Sequence, residues 1–249
     1  MKEKQEKIIL EYLGEHQFAS VEKLAEILFV SPSTVRRSLN ELQAKGLVSR
    51  THGGVKINDE NNFAPSFTFR FHQNSFEKKK IALSAMKLIK NGDLIFLDGT
   101  TSAFFIAEYL AEFKNLRVIT NGIDTLSLLS RAGVCAYSTG GMVEEENRSV
   151  LIGRYAEETI CNFHADIVFF SAQSVDSSGE IYDCFEEENF IRKAMIKNAK
   201  KKVFLCDSTK FNKTSSYHLC SLADCDYIVS NEPLPENIPL GKAQAIIPE

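Results

Sequence analysis

Residues 31–54, SPSTVRRSLNELQAKGLVSRTHGG, admit few local folds. Ser31 is a good N-cap residue, and Pro32 takes the first helical position, where a missing N–H costs nothing. Val35, Leu39 and Leu42 then recur at i, i+4 and i+7 as one apolar seam. At about 100° per residue, Ser33, Arg37 and Asn40 fall opposite that seam, with Thr34 and Arg36 on its flanks. Lys45-Gly46 reads as a helix stop. Residues 47–50 and 55–57 read as two short strands closed by Gly53-Gly54. The stretch predicts a helix and hairpin whose exposed face is polar and cationic.

Paired arginines on a helix are most often solvated surface, so charge has to decide between surface and site. Residues 31–56 carry Arg36, Arg37, Lys45, Arg50 and Lys56 against Glu41, a net of +4 in a chain whose net is −4. A local basic patch on an acidic protein is the footprint of a nucleic-acid contact. The asymmetry runs further, since residues 1–56 are net +2 and the remaining 193 are net −6. That division suggests a small DNA-facing module joined to a larger acidic one.

Residues 2–14 predict a first helix with Ile8, Ile9, Tyr12 and Leu13 on one side. Ser20 caps a second, whose face is Val21, Leu24, Ala25 and Leu28. Phe29-Val30 makes a short turn into the third. Three helices followed by a two-stranded wing is a winged helix-turn-helix, in which the last helix enters the major groove. Ser31, Ser33, Thr34, Arg36, Arg37 and Asn40 are the candidate DNA contacts on the helix, with Arg50, His52 and Gly53 on the wing. The N-terminus lacks a signal-peptide core and no stretch is long enough to span a bilayer, so a cytoplasmic location and no membrane partner are expected. The six cysteines include no C-x-x-C and several lie in apolar runs, which predicts reduced packing residues. No metal ion or cofactor is expected.

The run VEKLAEILFVSPSTVRRSLNELQAKGLVSRTHGG, from Val21 to Gly54, resembles the N-terminal domain of the DeoR family of bacterial transcription regulators. That family shows a similar V-x-x-L-A-x-x-L-x-V-S-x-x-T-[IV]-R-R-D-L pattern ending in R-x-H-G-G. Ser38 departs from it, standing where the family usually has Asp. Residues 58–77 read as a linker, with Pro65 and Arg70 fitting the family, and divide the chain into a DNA-binding domain (1–57) and an effector-binding domain (78–249).

After residue 78 short apolar runs alternate with helical stretches. The strand candidates are 94–98, 116–120, 134–138, 167–171, 203–207 and 227–230. Helices are expected over 79–90 and near 102–113, 123–131, 148–163, 186–200 and 215–222. Such alternation predicts a parallel α/β sheet covered on both faces. Ligands of open α/β sheets sit beyond the carboxyl ends of the strands. The segments following the strands are Asp98-Gly99-Thr100-Thr101-Ser102, Thr120-Asn121-Gly122, Gly140-Gly141, Ser171-Ala172-Gln173-Ser174 and Asp207-Ser208-Thr209-Lys210. Hydroxyls and N–H groups of Thr100, Thr101 and Ser102 suit a phosphate, Lys210 suits its charge as a point donor, and Asp98 and Asn121 suit sugar hydroxyls. Each feature alone is an ordinary cap, turn or solvated lysine; their convergence on one sheet edge favours a site.

The stretches IFLDGTTSAFFIAEYL, RVITNG, SVLIG, EENFIRKAMIKNAKKKVFLCDSTKF and DYIVS resemble the DeoR effector domain, which shares its fold with ribose-5-phosphate isomerase and glucosamine-6-phosphate deaminase. The resemblance implies a phosphosugar pocket lined by Asp98, Gly99, Thr100, Thr101, Ser102, Thr120, Asn121, Gly140, Gly141 and Lys210. Ser171 and Ser174 stand where the family pattern G-A-x-G has glycine. An isomerase-like enzyme is the alternative. It would need a positioned carboxylate base, for which Asp98, Asp207 and Glu188 are candidates, but the run of residues 186–188 reads as the solvated start of a helix. The chain is expected to be a homo-oligomeric repressor that binds a double-stranded DNA operator and answers to a phosphosugar, with no catalytic residue.

Overall fold

A computed structural model describes residues 2–16, 18–44, 47–51, 53–57, 67–145 and 147–248. The chain divides into two compact units, Met1–Asn74 and Ser75–Glu249.

The first unit contains helices α1 (Lys2–His16), α2 (Val21–Leu28), α3 (Pro32–Ala44) and α4 (Phe67–His72), with strands β1 (Phe18–Ala19), β2 (Val48–Thr51) and β3 (Gly54–Ile57). Ser20 caps α2 by accepting the Lys23 N–H at 3.0 Å, and Ser31 accepts the Thr34 N–H at 3.3 Å, as the sequence predicts for both helix starts. The predicted seam is the core: Val35, Leu39 and Leu42 are fully buried and pack with Ile9, Leu13, Leu24 and Val48. Ser38 is buried beside that seam, so its hydroxyl belongs to the interior and not to the exposed face. The hairpin β2–β3 forms as predicted, and β1 adds a third antiparallel strand against β3. Gly54 allows this, because a Cβ there would lie 2.3 Å from the Ala19 carbonyl oxygen. Residues 45–46, His52 and residues 58–66, which include the predicted helix stop and the first nine residues of the predicted linker, lie outside the described residues, while the rest of that linker is not irregular but forms α4 and the start of α5 (Ser75–Ala85).

The second unit alternates strand and helix. In chain order it runs α5 (Ser75–Ala85), β4 (Leu94–Leu97), α6 (Thr101–Ala107), β5 (Arg117–Thr120), α7 (Ile123–Arg131), β6 (Cys135–Ser138), β7 (Met142–Val143), β8 (Leu151–Ile152), α8 (Arg154–Cys161), β9 (Ala165–Phe170), β10 (Ser174–Val175), β11 (Glu180–Asp183), α9 (Glu186–Lys197), β12 (Ala199–Cys206), β13 (Tyr217–Ser221), β14 (Tyr227–Ser230) and β15 (Gln244–Ile246). Every predicted strand is present. Seven strands make one parallel sheet in the order β15-β14-β12-β9-β4-β5-β6. The central strands are apolar on both faces over residues 94–97, 167–170 and 203–206, with Phe96, Phe169, Phe170 and Phe204 fully buried, as a sheet covered on two sides requires. From β4 the chain steps outward through β5 and β6, then returns to the other side of β4 at β9. The topological switch point, where open α/β sheets bind ligands, is therefore between the carboxyl ends of β4 and β9.

Three expectations are corrected. The helix expected near 215–222 is strand β13, paired antiparallel with β11 in a small separate sheet. The helix expected over 148–163 starts only at Arg154, because residues 151–152 are strand β8 and Gly153 turns the chain at φ 87°. Glu188 is not solvated; it is 2 % exposed, for the reason given below.

Candidate functional site

On α3, Ser33, Arg36, Arg37 and Asn40 are exposed, as are Pro32, Gln43 and Ala44 at its ends. Ser31 Oγ joins the hydroxyls of Ser33 at 2.7 Å and Thr34 at 3.0 Å, so the amino end of α3 presents three linked hydroxyls. Arg36 lies 3.9 Å from Glu22 in a surface pair, which contributes little to stability. Arg37 is exposed and makes no ion pair among the described residues. Arg50 turns back from β2 and donates to Asn40 Oδ1 at 2.7 Å and to the Arg36 carbonyl at 3.0 Å. This bond braces the wing against α3 and fixes Asn40. Gly53 is exposed at the hairpin tip with φ 90°.

In the second unit the loops after β4, β5, β9 and β12 meet at the carboxyl edge of the sheet. Asp98 follows β4 and is 1 % exposed. Its Oδ1 accepts the Thr100 N–H at 3.1 Å and the Thr100 hydroxyl at 2.6 Å. Its Oδ2 accepts the Ser171 N–H at 3.0 Å and Arg192 Nε at 3.2 Å. Four donors fill what a carboxylate offers, and the Ser171 bond crosses the switch point from β4 to β9. Thr100 also caps α6, accepting the Ala103 N–H at 3.4 Å. Thr101 and Ser102 are buried in the first turn of α6.

Asn121, after β5, donates to the Leu151 carbonyl at 3.1 Å, while its buried Oδ1 has no partner among the described residues. Thr120 Oγ1 accepts the Gly122 N–H at 3.0 Å. Gly99 lets the loop pass close to Val150, whose Cγ1 would lie 2.3 Å from a Cβ there and would have to shift. Lys210 belongs to the turn after β12 and is half-buried; its Nζ donates to Ser171 Oγ at 2.8 Å and lies 3.8 Å from Asp207. Burial pushes the Asp207 carboxyl up, but Lys210, the Thr209 hydroxyl and Lys78 outweigh it and hold the group below the ordinary carboxylate value. The structure thus brings together the Asp98–Ser102 loop, Asn121 and Lys210. Gly140 and Gly141 lie farther out, after edge strand β6, with φ 63° and 104°; among the described residues they bond to neither the Asp98 loop nor Lys210.

The model of the DeoR C terminal sensor domain matches residues 73–232, and that of the DeoR-like helix-turn-helix domain matches residues 5–61. The chain belongs to the DeoR family. It is a DNA-binding transcriptional regulator. Its relatives include the transcriptional repressor AccR of Agrobacterium fabrum, 34% identical over 92% of this chain and 92% of that protein. The L-fucose operon activator of Haemophilus influenzae is 30% identical over 94% of this chain and 93% of that one. Among solved structures, ribose 5-phosphate isomerase A of Methanocaldococcus jannaschii is a neighbour at TM-score 0.43 and 19% identity, covering 56% of this chain and 55% of that one.

In this DeoR regulator the strongest electrostatic feature is one that sequence reasoning passed over. Arg192, on α9, is 2 % exposed and faces three carboxylates: Glu188 at 2.6 Å, Asp98 at 3.2 Å and Asp183 at 3.2 Å. Burial works to lower its pKa, but the attraction of Asp183, Glu188 and Asp98 more than offsets this and raises it. Asn189 Oδ1 accepts a further Arg192 N–H at 3.2 Å, and Asn147 donates to Glu188 at 2.6 Å. The hub ties the β4 loop, the end of β11, the β7–β8 connection and α9 into one unit around the switch point. Its only local signal was the i, i+4 spacing of Glu188 and Arg192.

Proposed function

We propose that this regulator represses an operon for sugar uptake or catabolism and is released from its operator by a phosphorylated sugar bound at the carboxyl edge of the second unit's sheet. The observation that carries the pocket reading is Lys210 Nζ, held half-buried on Ser171 Oγ at the switch point. Ser171 in turn bonds Asp98 of the loop that carries Thr100, Thr101 and Ser102, and Asn121, with its unpartnered Oδ1, follows the next strand along the same edge. A cation, hydroxyls and an open acceptor suit a phosphate group at one end and sugar hydroxyls at the other. In this reading Asp98 shapes the loop from behind, because its lone pairs are filled. Gly99 lets the loop pass Val150, and Thr120, Gly140 and Gly141 shape the adjoining rim.

On the DNA side, Arg37 and Arg36 reach base edges or phosphates in the major groove. Ser31, Ser33, Thr34 and Asn40 assist, while Arg50, His52 and Gly53 steady the wing on the backbone. The protein acts as a cytoplasmic homo-oligomer, so that two α3 helices enter successive grooves. The sugar must bind the DNA-competent and DNA-incompetent states with different affinity.

The repressor role rests on relatives named as repressors, and the sugar on the relative named for an L-fucose operon. A non-catalytic role fits the fate of the candidate bases. Asp98 is saturated, Glu188 is bonded to Arg192 and Asn147, and Asp207 accepts from Thr209. A general base needs a free lone pair aimed at its proton. Purified protein screened by thermal shift against pentose and hexose phosphates tests the pocket, since a ligand of the folded state raises the melting point by mass action. A panel without one stabilising sugar phosphate contradicts the reading, and sugar-phosphate isomerisation lost in Asp98→Asn contradicts the non-catalytic role.

A further inference from the structure

Ser171 occupies the position where the family pattern carries glycine, and its side chain is 1 % exposed. Its hydroxyl donates to the Leu205 carbonyl at 2.6 Å, which orients its lone pairs, and accepts Lys210 Nζ at 2.8 Å. Its backbone N–H holds Asp98 Oδ2 at 3.0 Å. One residue therefore joins the lysine of the β12 turn to the loop of β4, across the switch point. Glycine at this position keeps the backbone bond to Asp98 but has no atom to hold the ammonium.

We infer that Ser171 is a positioning residue that fixes Lys210 in the pocket and so sets the preference of this protein for phosphorylated over unphosphorylated sugars. A free lysine side chain loses its rotamer freedom when it clamps an anion, and that loss weakens binding. Here that loss has been met in the ligand-free protein, and the ammonium keeps donors for an incoming oxygen. A neutral sugar offers no such anion, so it gains nothing from the arrangement.

This inference rests on the pocket reading above, and two measurements separate their failures. The first needs no sugar. Reductive methylation followed by mass spectrometry gives the labelling rate of Lys210 in wild type and in Ser171→Ala. The inference expects a several-fold faster rate in the variant at a temperature where circular dichroism shows both proteins folded; an unchanged rate overturns the tether. The second is a double-mutant cycle of Ser171→Ala and Lys210→Ala, read as calorimetric Kd for inorganic phosphate and for the sugar phosphates of the thermal-shift panel. Ser171→Ala alone is expected to weaken phosphate-bearing ligands about threefold to tenfold, to leave unphosphorylated sugars unchanged, and to have no effect once Lys210 is removed. Equal weakening in both backgrounds overturns the positioning role while leaving the pocket in place. A wild-type protein that binds none of the phosphates overturns the pocket reading and this inference with it.

Discussion

Arg37 and Arg192 are both arginines on amphipathic helices, and they do opposite things. Arg37 lies on the open face of α3 with no ion pair among the described residues. Arg192 is enclosed by Asp98, Asp183 and Glu188. The contrast extends to the units they belong to. The helix-turn-helix unit has an apolar core and exposes Arg36 and Arg37 on α3, where a polyanion can reach them. The sensor unit places ionised groups in its interior and uses them to tie loops from distant strands. An exposed charge is available to a ligand, whereas a buried and fully bonded charge has become scaffold. Lys210 stands between these cases, half-buried and held, with donors to spare.

Breaking the scaffold should give the largest effect. Arg192→Met leaves three buried carboxylates without their counter-charge and should destabilise the protein by about 3–5 kcal/mol, measured by urea unfolding. A loss near zero would show that the hub is solvated. Next, Arg37→Ala should leave stability within about 0.5 kcal/mol but weaken operator binding by about 1–3 kcal/mol and relax specificity. Uniform weakening across DNA sequences would assign Arg37 to phosphate instead of a base.

Asp207 sharpens the comparison through pH. Its carboxyl is held below the ordinary value of 3.8, so the unfolded chain takes up its proton first as pH falls. The stability it supplies is full above that value and is lost as pH drops through the lower folded-state value. Asp207→Asn should therefore be the less stable protein at neutral pH, with the gap closing below pH 3.8. A constant gap down the acid limb would mean that packing, not charge, accounts for it. The smallest effect expected is a gain. Phe29 ends α2 with φ 53° and is 94 % exposed, a left-handed conformation that costs a side chain about 1–2 kcal/mol. Phe29→Gly should raise stability by about 0.5–1 kcal/mol, net of glycine's greater unfolded entropy; a decrease would reveal a packing role for the ring.

The same contrast explains what could be read from residues alone. Val35, Leu39 and Leu42 are neighbours on one helix, so their burial follows from spacing within a single element. The parallel sheet was legible because each strand is a short apolar run between helical periods. The Arg192 hub was not legible, because Asp98, Asp183 and Asn147 lie 94, 9 and 45 positions away and nothing local pairs them. Glu188 read as a solvated helix start for that reason: only its buried partners distinguish it from the exposed Glu186 and Glu187. Strand β13 read as helix because its partner residues on β11 lie 34 to 41 positions earlier and belong to a separate small sheet. For the candidate site, sequence placed Asp98, Asn121 and Lys210 at one edge but gave no sign that Asp98 is saturated or that Ser171 holds Lys210.

The central claim is that the held but unsaturated cation of the sensor unit governs the open cations of the helix-turn-helix unit. Titrating a sugar phosphate that stabilises the protein into its operator complex, with wild type and Lys210→Ala side by side, tests this directly. The account predicts that both bind operator with equal affinity and that the sugar phosphate releases only the wild type. Normal release of Lys210→Ala, or a wild-type complex indifferent to a sugar phosphate that stabilises the free protein, would contradict it.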